Sequence, residues 1–288
     1  MYTGINEMNK FLSITQKIII TFLDASKNNQ TFIGTGFWIK TNKEKLAFVT
    51  NKHNLIPKIK SSKYESWELK KLELRLRLHD NESKQPYNYT TIDCTEWKSI
   101  YNEPLDSPDI LILLAPIPFE VNGIFSGKLE LEYIPQEFLA DVKYFQNILQ
   151  FTDQAYFIGF SDLNWNSSKY EYPISRNCNI SSYPLIDFTE ETKHNDIYDI
   201  KTKETCLVNG LSFGGSSGSP VLTYERGIKV GTGLTGGNYV EPKLIGIMSG
   251  HWDDKLSEDS FLKQKTHKGL SYFTKSTTIL NLLNSLPD

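Results

Sequence analysis

The stretch Phe213-Gly214-Gly215-Ser216-Ser217-Gly218-Ser219-Pro220-Val221 decides how the rest of the chain is read. Glycines flank serines, and an apolar run begins after the proline. Glycine reaches backbone conformations that other residues resist, so this loop can turn two N–H groups toward one point, which suits an oxyanion. An arbitrary Gly-Ser string is more often a plain hairpin loop. Two catalytic readings compete with that. Gly214-Gly215-Ser216-Ser217-Gly218 satisfies G-x-S-x-G with Ser216 as nucleophile, but that elbow needs a helix directly afterwards. Pro220, Val221 and Leu222 follow instead, and no βαβ alternation precedes it. The other reading takes Ser217 as nucleophile, with the N–H groups of Gly215 and Ser217 facing the developing negative oxygen.

A serine hydroxyl is a poor nucleophile unless a base, itself held by an acid, takes its proton. Phe48-Val49-Thr50-Asn51-Lys52-His53-Asn54-Leu55 ends a strand and puts His53 just beyond it. Imidazole has the right acidity to take and return a proton near neutrality. By count alone His79, His194, His251 and His267 are equally available. Ser107-Pro108-Asp109-Ile110-Leu111-Ile112-Leu113-Leu114 places Asp109 directly before a buried strand, where a carboxylate can be desolvated and bonded to a ring; Asp106 lies three residues further out. Without the imidazole, Asp109 reads as an ordinary turn residue.

Short apolar or alternating runs bounded by Gly, Asn, Asp and Pro recur along the chain, the pattern of an all-β sandwich or barrel. Lys17 to Leu23, Thr31 to Lys40 and Lys45 to Thr50 read as strands. Leu72-Glu73-Leu74-Arg75-Leu76-Arg77-Leu78 alternates Leu with charge, so one face is buried. Ile110 to Leu114 is continuously apolar, as a strand covered on both faces would be, and Pro116 and Pro118 end it. Pro135 to Gln150 fits a bridging helix. A second series follows: Ala155 to Phe160, Tyr172 to Ser175, Ile180 to Tyr183, Thr205 to Val208, Pro220 to Tyr224, Lys243 to Ser249 and Leu270 to Thr274. Ile279 to Leu286 offers a short amphipathic helix.

The chain has 288 residues, enough for a core without staples. Its 31 Lys+Arg against 34 Asp+Glu give a formal charge of -3, so no whole-chain basic field exists to hold nucleic acid or anionic lipid. Cys94, Cys178 and Cys206 are scattered and odd in number, against a disulfide framework or a zinc cluster; a reducing, cytoplasmic compartment is expected. The apolar segment Ile18 to Leu23 reads as a strand, not a signal, and no run approaches the ~18 residues of a membrane span. No cofactor is expected, and the expected partners are a protein or peptide substrate and, with activation unexplained, an activating protein.

Ser217, His53 and Asp109 in these contexts resemble the chymotrypsin-like serine proteases, in which a histidine after T-x-x-H, an aspartate before an apolar strand and G-x-S-G-x-P occur in that chain order. Gly34-Thr35-Gly36-Phe37-Trp38-Ile39 is similar to the family's early G-[ST]-G-F strand, and Thr50-Asn51-Lys52-His53 to the T-N-x-H form of bacterial members. Ala155 to Phe160 and Leu244 to Gly250 look like its second-barrel strands. The resemblance implies two six-stranded antiparallel β-barrels: residues 1–120 carrying His53 and Asp109, a crossover with a helix at 121–150, and residues 151–288 carrying Ser217 and a terminal helix. It implies that Ser217 attacks a peptide carbonyl, His53 moves the proton, Asp109 holds the ring, and the Gly215 and Ser217 N–H groups form the oxyanion hole. Leu211, Ser212, Ser249, Gly250 and His251 would line the specificity pocket. Leu211 stands where trypsin-like members carry an acid, so Lys or Arg is a poor fit. An apolar or small side chain is the first expectation, with an acidic one if His251 faces the pocket. Ser216 replaces the aspartate of secreted digestive members, so their activation route should be absent. The alternatives are a non-catalytic scaffold on this fold, or a Ser216 hydrolase using Asp253 or Asp254 and His267.

Overall fold

The computed structural model describes residues 11, 13–80, 86–101, 108–115, 129–130, 132–161, 172–188, 191–194, 197–200, 204–227, 239–254 and 266–286. Nine strands build the first sheet: β1 (Thr15–Leu23), β2 (Asn29–Lys40), β3 (Leu46–Thr50), β4 (Glu68–Asp80), β5 (Pro86–Asp93), β6 (Ser99–Ile100), β7 (Leu111–Leu114), β8 (Leu129–Glu130) and β9 (Ile134–Pro135). Their order is β5-β4-β1-β2-β3-β7-β6, with β8 on β4 and β9 on β2. One helical turn, α1 (Lys52–Leu55), follows β3. The crossover contributes a 3-10 turn at Gln136–Phe138 and α2 (Val142–Asn147), capped by Asp141, whose Oδ1 accepts the Tyr144 N–H at 2.8 Å. The second unit comprises β10 (Gln154–Gly159), β11 (Ile174–Ile180), the hairpin β12 (Glu191–His194) and β13 (Ile197–Ile200), β14 (Thr205–Asn209), β15 (Pro220–Thr223), β16 (Leu244–Asp254) and β17 (Thr266–Lys275). Six of these close a barrel, β10-β11-β14-β17-β16-β15, and α3 (Ser276–Asn284) is the last helix of the described residues.

Period-2 alternation sorts the side chains. Leu72, Leu74 and Leu76 are buried on the inner face of the first sheet with Ile18, Ile20, Trp38 and Phe48. In β7, Leu111 and Leu113 join that cluster, while Ile112, with Ile110 just before the strand, turns to a second one between the two sheets. A strand covered on both sides is why this run is apolar throughout. The intersheet cluster takes Phe37, Ile39 and Val49 from one side, Tyr156, Ile158, Leu222 and Ile247 from the other, and Ile279, Leu282 and Leu283 from α3. Each such buried aliphatic side chain is worth ~1.5–3 kcal/mol. Phe157, Cys178, Cys206, Val221 and Phe273 fill the closed barrel. The cysteines are buried and unbridged, and burial pushes the Cys94 and Cys178 thiols up to about 12.

The fold is mostly β, as expected, with four departures. Among the described residues the first sheet stays open, because β4 runs long and pairs outward with β5 and β8. Ile180 to Tyr183 is not a strand of its own: Ile180 ends β11, and a turn follows. The stretch from Pro135 to Gln150 is not one helix but a 3-10 turn and a shorter α2. Crossover residues in β8 and β9 join the first sheet. Pro116, Pro118 and Asp106 lie outside the described residues. Among the described residues no helix is long and apolar enough to cross a membrane.

Candidate active site

Two consecutive turns hold Ser217 at a corner. The Ser216 N–H donates to the Phe213 carbonyl at 2.9 Å with Gly215 at φ 84, the positive dihedral that the third position of a type II turn needs. The Ser219 N–H and Oγ then donate to the Ser216 carbonyl at 3.1 and 2.7 Å. Ser216 is 1% exposed, and its Oγ accepts the Phe213 N–H at 3.2 Å within its own loop. β15 follows with no helix, so Ser216 lacks both the access and the context of an elbow nucleophile. Ser217 is only part-buried. Among the described residues neither the Gly215 N–H nor the Ser217 N–H has a hydrogen-bond acceptor.

Thr35 of β2 docks this loop on the first sheet. Its N–H donates to the Ser217 carbonyl at 2.9 Å and its Oγ1 to the Gly215 carbonyl at 2.7 Å, while its own carbonyl accepts the Thr50 Oγ1 at 2.7 Å. Asn54, one residue after His53, adds a 3.3 Å bond from Nδ2 to the Ser217 carbonyl. Gly218 makes the approach possible: at φ 96, a Cβ there would stand 1.7 Å from the Thr35 carbonyl oxygen. Gly218→Ala should therefore cost roughly 3 kcal/mol or more, combining left-handed strain of ~1–3 with overpacking of ~1–3. A lowered urea midpoint at unchanged m-value is the expected readout.

His53 and Asp109 meet in two places. The His53 N–H donates to Asp109 Oδ1 at 2.9 Å, and His53 Nδ1 lies 2.5 Å from Oδ2. A carboxylate only accepts, so Nδ1 carries the hydrogen and Nε2 keeps its lone pair. The sequence brings this about locally: α1 begins as soon as β3 ends, and Asp109 precedes β7, the antiparallel neighbour of β3. Asn51 braces the pair, its Nδ2 donating to the Asp109 carbonyl at 2.8 Å and to Ser249 Oγ at 3.0 Å. Burial, with the nearby Lys60 cation, holds the ring of His53 below the usual histidine range against the opposing pull of Asp109. Burial works to raise the Asp109 carboxyl, but the facing His53, its hydrogen bonds and Lys60 outweigh it and leave the carboxyl below the usual range. At neutral pH the pair is a neutral imidazole on an ionised carboxylate. Among the described residues no hydrogen bond joins Ser217 Oγ to His53 Nε2.

No protein-family model and no curated protein sequence matches the chain. Among solved structures, the HtrA-type protease AlgW with tripeptide superposes at TM-score 0.51 and 12% identity, over 99% of this chain and 63% of that one. The chain has a chymotrypsin-like fold. The Rv3671c protease from M. tuberculosis, active form, gives a TM-score of 0.48 at 12% identity, over 96% of this chain and 82% of that one.

In this chymotrypsin-like fold the loop before Ser217 and the end of β16 are tied together. Ser212 Oγ and His251 Nδ1 are 3.1 Å apart, Ser271 Oγ and Ser212 Oγ 3.0 Å, and Ser271 Oγ and the Gly210 carbonyl 2.7 Å. Ser271 Oγ is the donor toward both the Gly210 carbonyl and Ser212 Oγ, and Ser212 Oγ in turn meets His251 Nδ1. His251 is thus a half-buried member of β16 and not a surface-loop residue. Gly250 lies against Tyr272, whose hydroxyl would stand 2.6 Å from a Cβ there. Leu211 is 50% exposed. Thr35, Asn51 and Asn54 sit inside stretches that the sequence singles out, yet their bracing roles carry no motif of their own, and Lys60 carries none at all.

Proposed function

We propose that the chain is a serine endopeptidase that hydrolyses peptide bonds of a protein substrate through an acyl-enzyme. The observation that carries this reading is the two-point contact of His53 with Asp109, beside a loop whose Gly215 and Ser217 N–H groups are uncommitted. Ser217 Oγ attacks the substrate carbonyl as His53 Nε2 takes its proton; the Gly215 and Ser217 N–H groups bind the oxyanion, each such donor being worth ~3 kcal/mol. His53 then returns the proton to the leaving amine, and water repeats the cycle on the ester. Asp109 fixes the tautomer that leaves Nε2 free to accept. Neither Leu211 to Phe213 nor Ser249 to His251 contains an acid, so Lys or Arg before the scissile bond is disfavoured, a bare cation there being costly to bury. Three buried, unbridged thiols fit a reducing compartment such as the cytoplasm.

One observation favours a second reading, a scaffold on the protease fold: among the described residues Ser217 Oγ makes no bond to His53. Catalytic hydrogen bonds often tighten only when substrate is bound, so the first reading stands ahead. A fluorophosphonate separates them. Covalent labelling should map to Ser217 and disappear in His53→Ala; a folded, unlabelled protein would support the scaffold, and modification of Ser216 the elbow hydrolase.

A further inference from the structure

Lys60 crosses from one sheet to the other. It lies in the turn that closes the 3-10 helix Pro57–Ile59, where its N–H donates to the Pro57 carbonyl at 3.0 Å, and its Nζ donates to the Ser249 carbonyl at 3.2 Å. Ser249 stands at a bulge: the register of β16 against β17 slips between Met248 and Gly250, and the pairing with β15 has already ended at Ile247. Neither ladder pairs Ser249; its Oγ accepts from Asn51, which also holds the Asp109 carbonyl, while its own carbonyl takes the Lys60 ammonium. Lys60 is solvent-exposed as a residue, while the bond its Nζ makes to Ser249 is part-buried.

We infer, on the protease reading above, that Lys60 is a positioning residue of the same site: its ammonium straps the two sheets across the cleft, over a carbonyl that an incoming peptide strand would bond, and substrate displaces it. An extended peptide binds a sheet edge by main-chain hydrogen bonds, and the bulged end of β16 is such an edge. The Ser249 carbonyl has two lone pairs, so the strap competes with a peptide N–H for approach to that oxygen rather than for its sole acceptor site.

Displacement also changes the charge around the base. Asp109, two residues before β7, and Lys60 are the charged groups that bear on His53 among the described residues. Burial draws the Lys60 ammonium below its usual range, against the opposing pull of Asp109. In the resting cleft that charge opposes protonation of His53, together with burial and against Asp109. Once Lys60 swings into solvent the opposition falls away, and imidazolium forms more readily, as proton transfer from Ser217 requires. Peptide entry and strengthening of the base are thereby one event.

The test compares the full chain with Lys60→Met and Lys60→Arg, using two measurements. The first is an NMR pH titration of the His53 ring without substrate, assigned with His53→Gln. The midpoint should move to higher pH in Lys60→Met and stay in Lys60→Arg; an unmoved or lowered midpoint in Lys60→Met overturns the coupling. The second is the ratio of inactivation rates for a tripeptidyl phosphonate and a small alkyl fluorophosphonate, which has no peptide N–H. Lys60→Met should raise that ratio about 2- to 10-fold, the range that one net hydrogen bond carries, and an unchanged ratio overturns the strap. If no form of the protein reacts with either phosphonate, the protease reading falls, and the titration still judges the charge coupling.

Discussion

Ser217→Ala is expected to lower kcat on a cleaved peptide by about 10^6-fold, the loss typical of deleting the nucleophile of a triad. Stability should stay within ~0.5 kcal/mol, because the hydroxyl has no partner among the described residues and the turns around it are held by backbone groups. The contrast between the two measurements is what makes the variant informative. The Thr35 bonds to the carbonyls of Gly215 and Ser217 do not involve the Ser217 side chain, so the loop and its uncommitted N–H groups survive the substitution. A residual rate of ~10^3–10^4 over water from those donors is the expected floor. Undiminished turnover by the pure variant would place the nucleophile elsewhere. Ser216 is a weak candidate to take over, since its Oγ is turned into the loop and accepts the Phe213 N–H.

What the sequence discloses here is what period and local chemistry encode. Alternation at Leu72, Leu74 and Leu76 gives a strand with one buried face, and the unbroken run at Ile110 to Leu114 gives one with two; both hold because burial acts on each residue where it stands. The candidate site was legible for a similar reason. Its three members each close or open a strand, and His53 and Asp109 meet because β3 and β7 are antiparallel neighbours. The contacts that assemble the site are of another kind. Thr35 and Gly215 are 180 residues apart, and Lys60 and Ser249 are 189; a single hydrogen bond across such a distance leaves no periodic trace. Sheet closure is equally hidden. Whether β4 stops short and rolls the first sheet shut, or runs on to pair with β5 and β8, depends on partners that its own Leu-charge alternation does not name. The break after Ile180 is a chemical matter: Ser181 and Ser182 spend their hydroxyls on the Asn179 carbonyl and the Leu207 N–H, and a turn replaces the ladder.

Asp109→Asn should cost about 10^4-fold in kcat with KM little changed, through the tautomer of a ring it would still touch. The carboxylate now accepts twice from one residue, at Oδ1 from the His53 N–H and at Oδ2 from Nδ1. An amide has one oxygen. If that oxygen keeps the backbone N–H, the NH2 group faces Nδ1, which must then become an acceptor, and the ring hydrogen moves to Nε2. The base would meet Ser217 with an N–H where it needs a lone pair. If the amide flips, the ring is satisfied but the buried backbone N–H at the start of α1 faces a donor, at a cost of ~1–3 kcal/mol. The two outcomes separate by measurement: the first slows labelling of Ser217 at little cost in stability, the second lowers the urea midpoint. Acid behaviour gives an independent check. Asp109 is depressed below its unfolded value, so its contribution to stability is present above the ordinary carboxylate range and is lost as pH falls through the folded value. His53 is also depressed, so it too favours unfolding as pH drops below the ordinary histidine range. The variant removes the carboxylate limb and leaves the histidine limb. With its anionic partner gone, His53 resists protonation still more strongly, so the histidine limb lengthens toward lower pH while the carboxylate limb is absent. A stability profile identical to that of the parent between pH 3 and 7 would mean that Asp109 is not ionised against His53, and the proton-transfer scheme would lose its acid.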